Sequence, residues 1–198
     1  MRINVYSDKF SGTLSAAEVL KTVTSVFKDV DIQANYFPVT DGGEHSTQIL
    51  KHYNMQTEMI TMTRDFIGNW IPVEYLNVDN DIYFESASLI GVNNTSDHPF
   101  NLDTSALAEV IPNIDVLSLG GSRTVDGGVG LMSSLGIEFY TEENIITNPK
   151  PRDFKDITAV KIADSFAKLE LRVLTDTSIP LLGSNSAIAT YGPQKGLN

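Results

Sequence analysis

The sequence predicts an α/β fold that opens with a parallel sheet and continues into a mixed one. Three observations point to it. Residues 3–53 alternate strand-like apolar runs with apolar stripes at helical spacing. Residues 55–84 switch to short alternating segments separated by tight polar turns. From residue 115 an apolar run again enters a glycine-rich loop and then a helix of small residues.

Ile3, Val5 and Tyr6 form a short apolar run, read as the first strand. Residues 8–12 are polar and turn-like. Ser15 stands three residues before Glu18, the spacing of a capping box, in which hydroxyl and carboxylate each satisfy a backbone N–H at a helix start. Val19, Leu20, Val23, Val26 and Phe27 follow at helical spacing. A second strand is expected over 32–39, then a glycine-containing loop at 40–43. Ile49, Leu50 and Tyr53 mark a second helix. This β-α-β-α order predicts parallel strands, because a crossover helix returns the chain in the same direction.

Met55, Thr57 and Met59 then alternate with polar neighbours. Ile71, Val73 and Tyr75 alternate after a Gly68-Asn69 turn, and Ile82, Tyr83 and Phe84 follow Asp79-Asn80-Asp81. Three short strands with tight turns predict an antiparallel meander. The change of pattern divides the chain into 1–62, the N-terminal part of a parallel-sheet domain, and 63–198, a mixed α/β second domain. Parallel-type order returns with a strand at 115–119, Gly120-Gly121, a small-residue helix and a strand at 137–140. Residues 141–169 carry little pattern, and 169–174 reads as the last strand. No internal repeat or low-complexity tract is present.

The 198 residues are 41% hydrophobic and 20% charged, enough for one large domain or two small ones with a real core. The net charge of −11 disfavours nucleic acid and anionic lipid as partners. Any anionic ligand must therefore be held locally, by backbone N–H groups, lysine or a metal. There is no cysteine, which excludes disulfides and thiolate metal sites and fits a reducing cytoplasm. No apolar run reaches membrane-spanning length, and the N-terminus has no signal-type apolar region.

Four loops follow strand ends and are rich in Asp, Gly, Ser or Thr, where ligands collect in open α/β sheets. The first, 7–13, carries Asp8 and Lys9 with several hydroxyls. The second, Asp41-Gly42-Gly43-Glu44, sets two glycines that can expose backbone N–H groups beside two carboxylates. The third, 120–128, is the richest, and a glycine-rich turn feeding a helix suits a phosphate or carboxylate. The fourth has Thr175-Asp176, with Gly192-Pro193-Gln194-Lys195-Gly196 downstream placing a lysine in a rigid turn. Each also has an ordinary structural explanation. Asp-Gly-Gly can be only a turn, 120–128 only a helix cap, Asp176 an N-cap, Asp8 an Asx-turn residue and Lys195 a solvated lysine. His45, His52 and His98 lack metal-ligand spacing and read as surface or satisfied histidines.

Taken in order, DKFSGTLSA at 8–16, VTDGGEHS at 39–46, FESASLIGV at 84–92, LGGSRTVDGGVGLMSSLG at 119–136, TDTSIPLLGSNSA at 175–187 and YGPQKG at 191–196 resemble the type-I glycerate kinase family. The resemblance implies a Rossmann/flavodoxin-like parallel-sheet portion at the N-terminus plus a mixed α/β second domain, with a site in the cleft between domains. It implies ATP-dependent phosphorylation of D-glycerate, with 2-phosphoglycerate as product and ATP and Mg²⁺ as cofactors. Carried over residue by residue, Asp8, Lys9, Asp41, Asp126 and Asp176 become catalytic candidates. Gly42, Gly43, Glu44, Gly121, Ser122, Thr124 and Lys195 become substrate- or phosphate-binding candidates. Metal ligands stay unassigned. The expected partners are D-glycerate and ATP in a cytoplasmic setting, without nucleic acid or membrane.

The sequence departs from the family at defined positions. The family's first loop reads Asp-Ser-Phe-Lys-Gly, whereas here Lys9 and Ser11 have exchanged places. His45 stands for a glycine, which is awkward where positive φ is needed. Arg123 replaces alanine, Val125 replaces asparagine and Ser186 replaces a glycine. Family members run to roughly twice this length, beyond what one core usually supports, so the resemblance implies an N-terminal half and an incomplete fold. A sheet missing strands exposes apolar edges and favours a homo-oligomer. The alternative to an enzyme is a truncated or degenerate homologue that binds a nucleotide or small anion without turnover.

Overall fold

The computed structural model describes residues 2–197 apart from Ser11, Asp31, Asn93, Asn94 and Ala167. Ser11, one half of the exchange in the first loop, thus lies outside the described residues. The chain begins with β1 (Arg2–Ser7), α1 (Ala16–Asp29) and β2 (Gln33–Pro38), and the two strands pair in parallel from Arg2↔Gln33 to Ser7↔Pro38. The capping box forms as the spacing predicts. Ser15 Oγ accepts from the Glu18 N–H at 3.3 Å, and the Ser15 N–H donates to Glu18 Oε2 at 2.8 Å. α2 (Ser46–His52) follows the second loop. These two strands form a sheet of their own and do not join the larger one.

The meander is β3 (Gln56–Arg64), β4 (Trp70–Val78) and β5 (Asp81–Glu85), paired antiparallel. Asp79 and Asn80 both take positive φ, 54° and 73°, as the two-residue turn between paired strands requires. β3 belongs wholly to the larger sheet, so a division after residue 62 falls inside a strand. Beyond β5 come α3 (Ala87–Ile90), β6 (Val116–Ser118), α4 (Val129–Ser134), β7 (Ile137–Tyr140), β8 (Ile145–Ile146), β9 (Ala159–Ile162), β10 (Arg172–Leu174) and α5 (Ala187–Tyr191). The larger sheet runs β10-β6-β5-β4-β3, with β5, β6 and β10 parallel.

Two parts differ from the sequence expectation. The strand at 137–140 is not parallel-sheet material: β7 lies between β8 and β9 in a separate antiparallel sheet. The weakly patterned stretch 141–169 supplies both of its partners. All four residues of β9 are exposed, so no inward-facing alternation marks it in the sequence. The segment before β6 is three 3-10 turns, Pro99–Asn101, Ser105–Glu109 and Ile111–Asn113. Their short runs never complete an α-helical period, yet they bury Leu102, Leu107, Val110 and Ile111.

The core lies on the face of the large sheet covered by these turns and α4, where Tyr75, Phe84, Leu89, Leu107, Val110 and Leu131 meet. A smaller cluster of Leu76, Tyr83 and Val116 faces the other way, toward Leu50 of α2 and Met55. Register places the ends of three parallel strands in one row. Glu85 pairs with Ser118, and Ser118 pairs with Leu174. The loops that follow therefore leave from one edge.

Phe84 has no exposed surface, whereas Ile162 is 69% exposed. Phe84→Ala is expected to cost about 3–5 kcal/mol of unfolding free energy. Ile162→Ala should stay within about 0.5 kcal/mol. Urea midpoints at constant slope measure both, and equal losses would place the core elsewhere.

Candidate functional site

The row of strand ends is floored by Glu85, which is nearly buried and closes β5. Its carboxylate points across to the start of α2. Oε1 accepts the His45 N–H at 3.0 Å, and Oε2 accepts the Thr47 N–H at 2.8 Å and the Ser46 hydroxyl at 3.0 Å. These are donors a helix start cannot satisfy internally. α2 has no side-chain cap of its own, because His45 occupies the cap position with φ 70°. The positive φ that the family's glycine suggests is thus present here, carried by histidine. Tyr83 completes the floor, its hydroxyl lying 2.7 Å from both Ser46 Oγ and Ser118 Oγ.

Above this floor the second and third loops touch. A Cβ on Gly120 would lie 2.7 Å from the Gly43 Cα, and one on Gly121 would lie 2.6 Å from Glu44 Cγ. Only glycine permits that approach. Asp41 Oδ1 accepts the Gly43 N–H at 2.9 Å and the Lys9 ammonium at 3.0 Å, which brings the first loop in as well. Lys9, Asp41, Gly42, Gly43, Glu44 and Gly121 are therefore brought together.

The charges here influence one another. Burial opposes charge on both members of the first pair. For Lys9, the Asp41 hydrogen bond and the charges of Asp41, Asp8 and Glu44 outweigh it, and the pKa rises. For Asp41, the Lys9 and Gly43 hydrogen bonds outweigh it, and the pKa falls. Glu44 goes the other way: burial pushes its carboxyl up, and the Glu85 and Asp41 charges add to that against the pull of Lys9 and His45. Two carboxylates three residues apart are thus biased oppositely, one held ionised and one more ready to take a proton.

Asp126 sits deeper, at 2% exposure. Its Oδ2 accepts from the Thr104 N–H at 2.9 Å, the Thr104 hydroxyl at 2.7 Å and the Gly130 N–H at 2.9 Å, and Oδ1 accepts the Gly128 N–H at 3.3 Å. It ties the start of α4 to the 3-10 segment. Lys195 reaches this loop from the C-terminal turn, donating to Thr124 O at 2.9 Å and Ser122 Oγ at 3.3 Å. Gly192 sets that turn, since a Cβ there would lie 2.3 Å from the Ile188 carbonyl oxygen. Burial, helped by Arg123 and opposed by Asp126, lowers the Lys195 pKa. Ser122, Thr124 and Lys195 thus form a second group around the third loop.

Two candidates are placed less firmly. The Asp8 carboxylate accepts the N–H of the next residue, Lys9, at 2.6 Å. Asp176 is exposed beyond β10. A cavity of about 130 Å³ lined by Lys9, Ala16, His45 and Ile49 adjoins the first loop. A larger groove of about 710 Å³ lies elsewhere, lined by Arg64, Asp65, Asp103, Glu109 and Lys150, and none of the candidate residues borders it. Glu85, Tyr83 and Thr104 are absent from the candidates read from sequence. For Glu85 a signal existed, because it ends an apolar strand inside the 84–92 motif.

Glycine-bearing loops gathered at the carboxyl ends of parallel strands define a strand-end ligand site of the α/β class. The family model described as glycerate kinase family matches residues 3–198, and the chain belongs to that family. It is 25% identical over 214 residues to the glycerate kinase of Neisseria meningitidis serogroup B, covering 100% of this chain and 57% of that protein. It is 26% identical over 215 residues to the glycerate 2-kinase of Escherichia coli K12, covering 99% of this chain and 56% of that protein. The fold is similar to the solved structure of a Salmonella typhimurium LT2 protein proposed to be glycerate kinase 2. That match has TM-score 0.67 and 22% identity, and covers 100% of this chain and 58% of the other. The chain thus spans little more than half the length of these relatives.

The Lys9–Asp41 pair has one well-covered member and one open one, with side-chain exposures of 12% and 42%. Solvent screening at Asp41 limits the coupling to about 0.5–1 kcal/mol. Asp41's pKa is depressed and Lys9's raised, so the contribution is present at neutral pH. It is lost as pH falls through Asp41's value, below the ordinary 3.8, and as pH rises through Lys9's, above the ordinary 10.5. A double-mutant cycle of Lys9→Met and Asp41→Asn in urea at pH 7 reads it directly. A coupling of zero there would contradict the pairing.

Proposed function

We propose that this chain takes part in the ATP-dependent phosphorylation of D-glycerate, yielding 2-phosphoglycerate. The observation that carries this is the meeting of Lys9, Asp41, Gly43, Glu44 and Gly120 where the strand-end loops of the two parallel-stranded sheets touch, in a chain of this family. In the reaction the glycerate 2-hydroxyl oxygen bonds to the γ-phosphorus of ATP. The bond from that phosphorus to its bridging oxygen breaks, ADP leaves, and the hydroxyl proton passes to a base. Such a transfer depends on positioning and on neutralising charge at the moving group.

Lys9, bonded to the second loop, and Lys195, bonded to the third, supply positive charge. Asp41, kept ionised by Lys9, is a poor proton acceptor and a good anchor for a cation. Glu44, with its raised pKa, suits the proton-accepting role better. Gly42, Gly43 and Gly121 let the second and third loops close on each other, which puts their backbone beside Lys9, Asp41 and Glu44 where phosphate or carboxylate oxygens would bind, with Ser122 and Thr124 following in the third loop. Asp126 holds the third loop and acts through it, while Asp176 offers an exposed carboxylate beyond β10. Among the described residues no three His, Cys, Asp or Glu side chains gather into a ready-made metal site. Mg²⁺, which is commonly held by one or two carboxylates plus substrate phosphates, would be held here by Asp8 and Asp41, two of the carboxylates whose charges act on Lys9. When bound, the ion supplies charge neutralisation across the phosphates. ATP use and the lack of cysteine fit a cytoplasmic setting, and among the described residues no helix is long and apolar enough to cross a membrane.

Val125 favours a second reading, because it removes the amide that the family carries there. On that reading the chain is a non-catalytic homologue that keeps a nucleotide or anion pocket. A coupled ADP-release assay with ATP, Mg²⁺ and D-glycerate separates the two. It is run on the chain alone and with the remaining part of a full-length relative, expressed separately. Glycerate-dependent ADP release is expected in the mixture, and Asp41→Asn should lower it about 100-fold or more. Release by the chain alone, rising more steeply than linearly with protein concentration, would show that self-association completes the site. ADP binding without release in either case would favour the second reading. Full activity in Asp41→Asn would remove Asp41 from the site.

A further inference from the structure

Arg123 stands at a position where the family pattern has alanine, inside the loop that Lys195 holds. Lys195 donates to Ser122 Oγ and to Thr124 O, the two neighbours of Arg123 in the chain. From the other side, a Cβ on Gly196 would lie 4.0 Å from Arg123 Nη2. The guanidinium and the ammonium therefore belong to one small region. The guanidinium donates to the Asp97 carbonyl from Nη2 at 3.2 Å and Nε at 3.4 Å. Guanidinium has five N–H donors, so three are left over.

No ion pair among the described residues includes Arg123 or Lys195. Asp126 lies near Lys195, but four donors already occupy its carboxylate. Two partly buried cations side by side repel each other, and the cost grows as water is withdrawn. The repulsion is felt at Lys195, where burial lowers the pKa most, Asp126 opposes it and Arg123 adds to the lowering. Asp126 therefore acts on Lys195 without pairing with it, and among the described residues no carboxylate makes a direct ion pair with either cation. Ser122 Oγ accepts from Lys195, which leaves its own proton free to donate.

We propose that Arg123 and Lys195 form an oxyanion subsite particular to this chain, taking a carboxylate or phosphate group with the Ser122 hydroxyl as a third donor. The identity of the ligand rests on the kinase reading: glycerate brings a carboxylate and ATP brings phosphates. The subsite itself does not, because inorganic pyrophosphate tests the same chemistry. The planar guanidinium matches two oxygens of either group at once, which a lone lysine does not do.

The test is calorimetric titration of the full chain with pyrophosphate, ADP and D-glycerate at two ionic strengths. Wild type is compared with Arg123→Ala, Arg123→Gln and Arg123→Lys, each checked by its melting temperature. Arg123→Ala, the family's own residue, should weaken pyrophosphate and at least one of the other ligands about tenfold or more and flatten the salt dependence. Arg123→Gln, which keeps a donor for the Asp97 carbonyl without the charge, should lose as much. Arg123→Lys, which keeps the charge and loses the two-point match, should fall between wild type and Arg123→Gln. A loss confined to glycerate would assign the carboxylate, and one confined to ADP would assign the phosphate. Wild-type affinity in Arg123→Gln would mean that Arg123 serves only the Asp97 contact, and would overturn the subsite. So would a wild type that binds none of the three ligands. Binding of both ADP and glycerate that is indifferent to Arg123→Ala would overturn the subsite and leave the kinase reading standing. Arg123-dependent pyrophosphate binding with no glycerate-dependent turnover would do the reverse.

Discussion

The carboxylate of Glu85 joins the two parts of this chain. It ends a strand of the larger sheet, yet all three groups that donate to it belong to the start of α2, which follows the small β1–β2 sheet. Hydrogen bonds to a charged acceptor contribute about 1.5–3 kcal/mol each and are costly to leave half-made when buried. An apolar residue at 85 would leave the His45 and Thr47 amides without an acceptor. The position of the 41–44 loop follows from this contact, because that loop runs directly into the helix whose first turn is pinned. Gly43 then lies against Gly120, and Asp41 faces Lys9.

The same device occurs a second time. Asp126 gathers the first N–H groups of α4 and the Thr104 hydroxyl, fixing the third loop against the 3-10 segment that covers the core. Two carboxylates are thus committed to structure, which separates them from Asp41 and Glu44. Those two lie between the loops, and Lys9 and burial drive their proton affinities in opposite directions. The proposed phosphoryl transfer would use that division of labour, with one group charged beside a cation and another accepting a proton.

Much of this was legible in the sequence because it depends on local rules. The capping box at Ser15 and Glu18, the Asp79-Asn80 turn and the alternation along the meander each follow from a few neighbouring residues, and each forms as expected. The glycine pairs were legible as loops, and their contact at Gly43 and Gly120 gives the reason for them. His45 was legible as a strained substitution, and it does take positive φ. What was hidden depends on long-range placement. Glu85 reads as one more charge at a strand end until α2 is set opposite it. The donors that hold Asp126 are hidden as well, because Thr104 arrives from 22 positions away. β9 shows no buried alternation, and the 3-10 turns of 99–113 never complete a helical period although they carry core leucines.

Amide hydrogen exchange by mass spectrometry, with and without Mg²⁺·ATP and D-glycerate, tests most directly whether the loops held by Glu85 and Asp126 are the ligand site. Ligand-dependent protection is expected in 40–47, 118–126 and 192–196, with exchange in β9 unchanged. Protection confined to the large groove, at 64–68 and 101–109, would contradict the account and move the site to that groove. So would no protection anywhere at ligand concentrations that saturate binding.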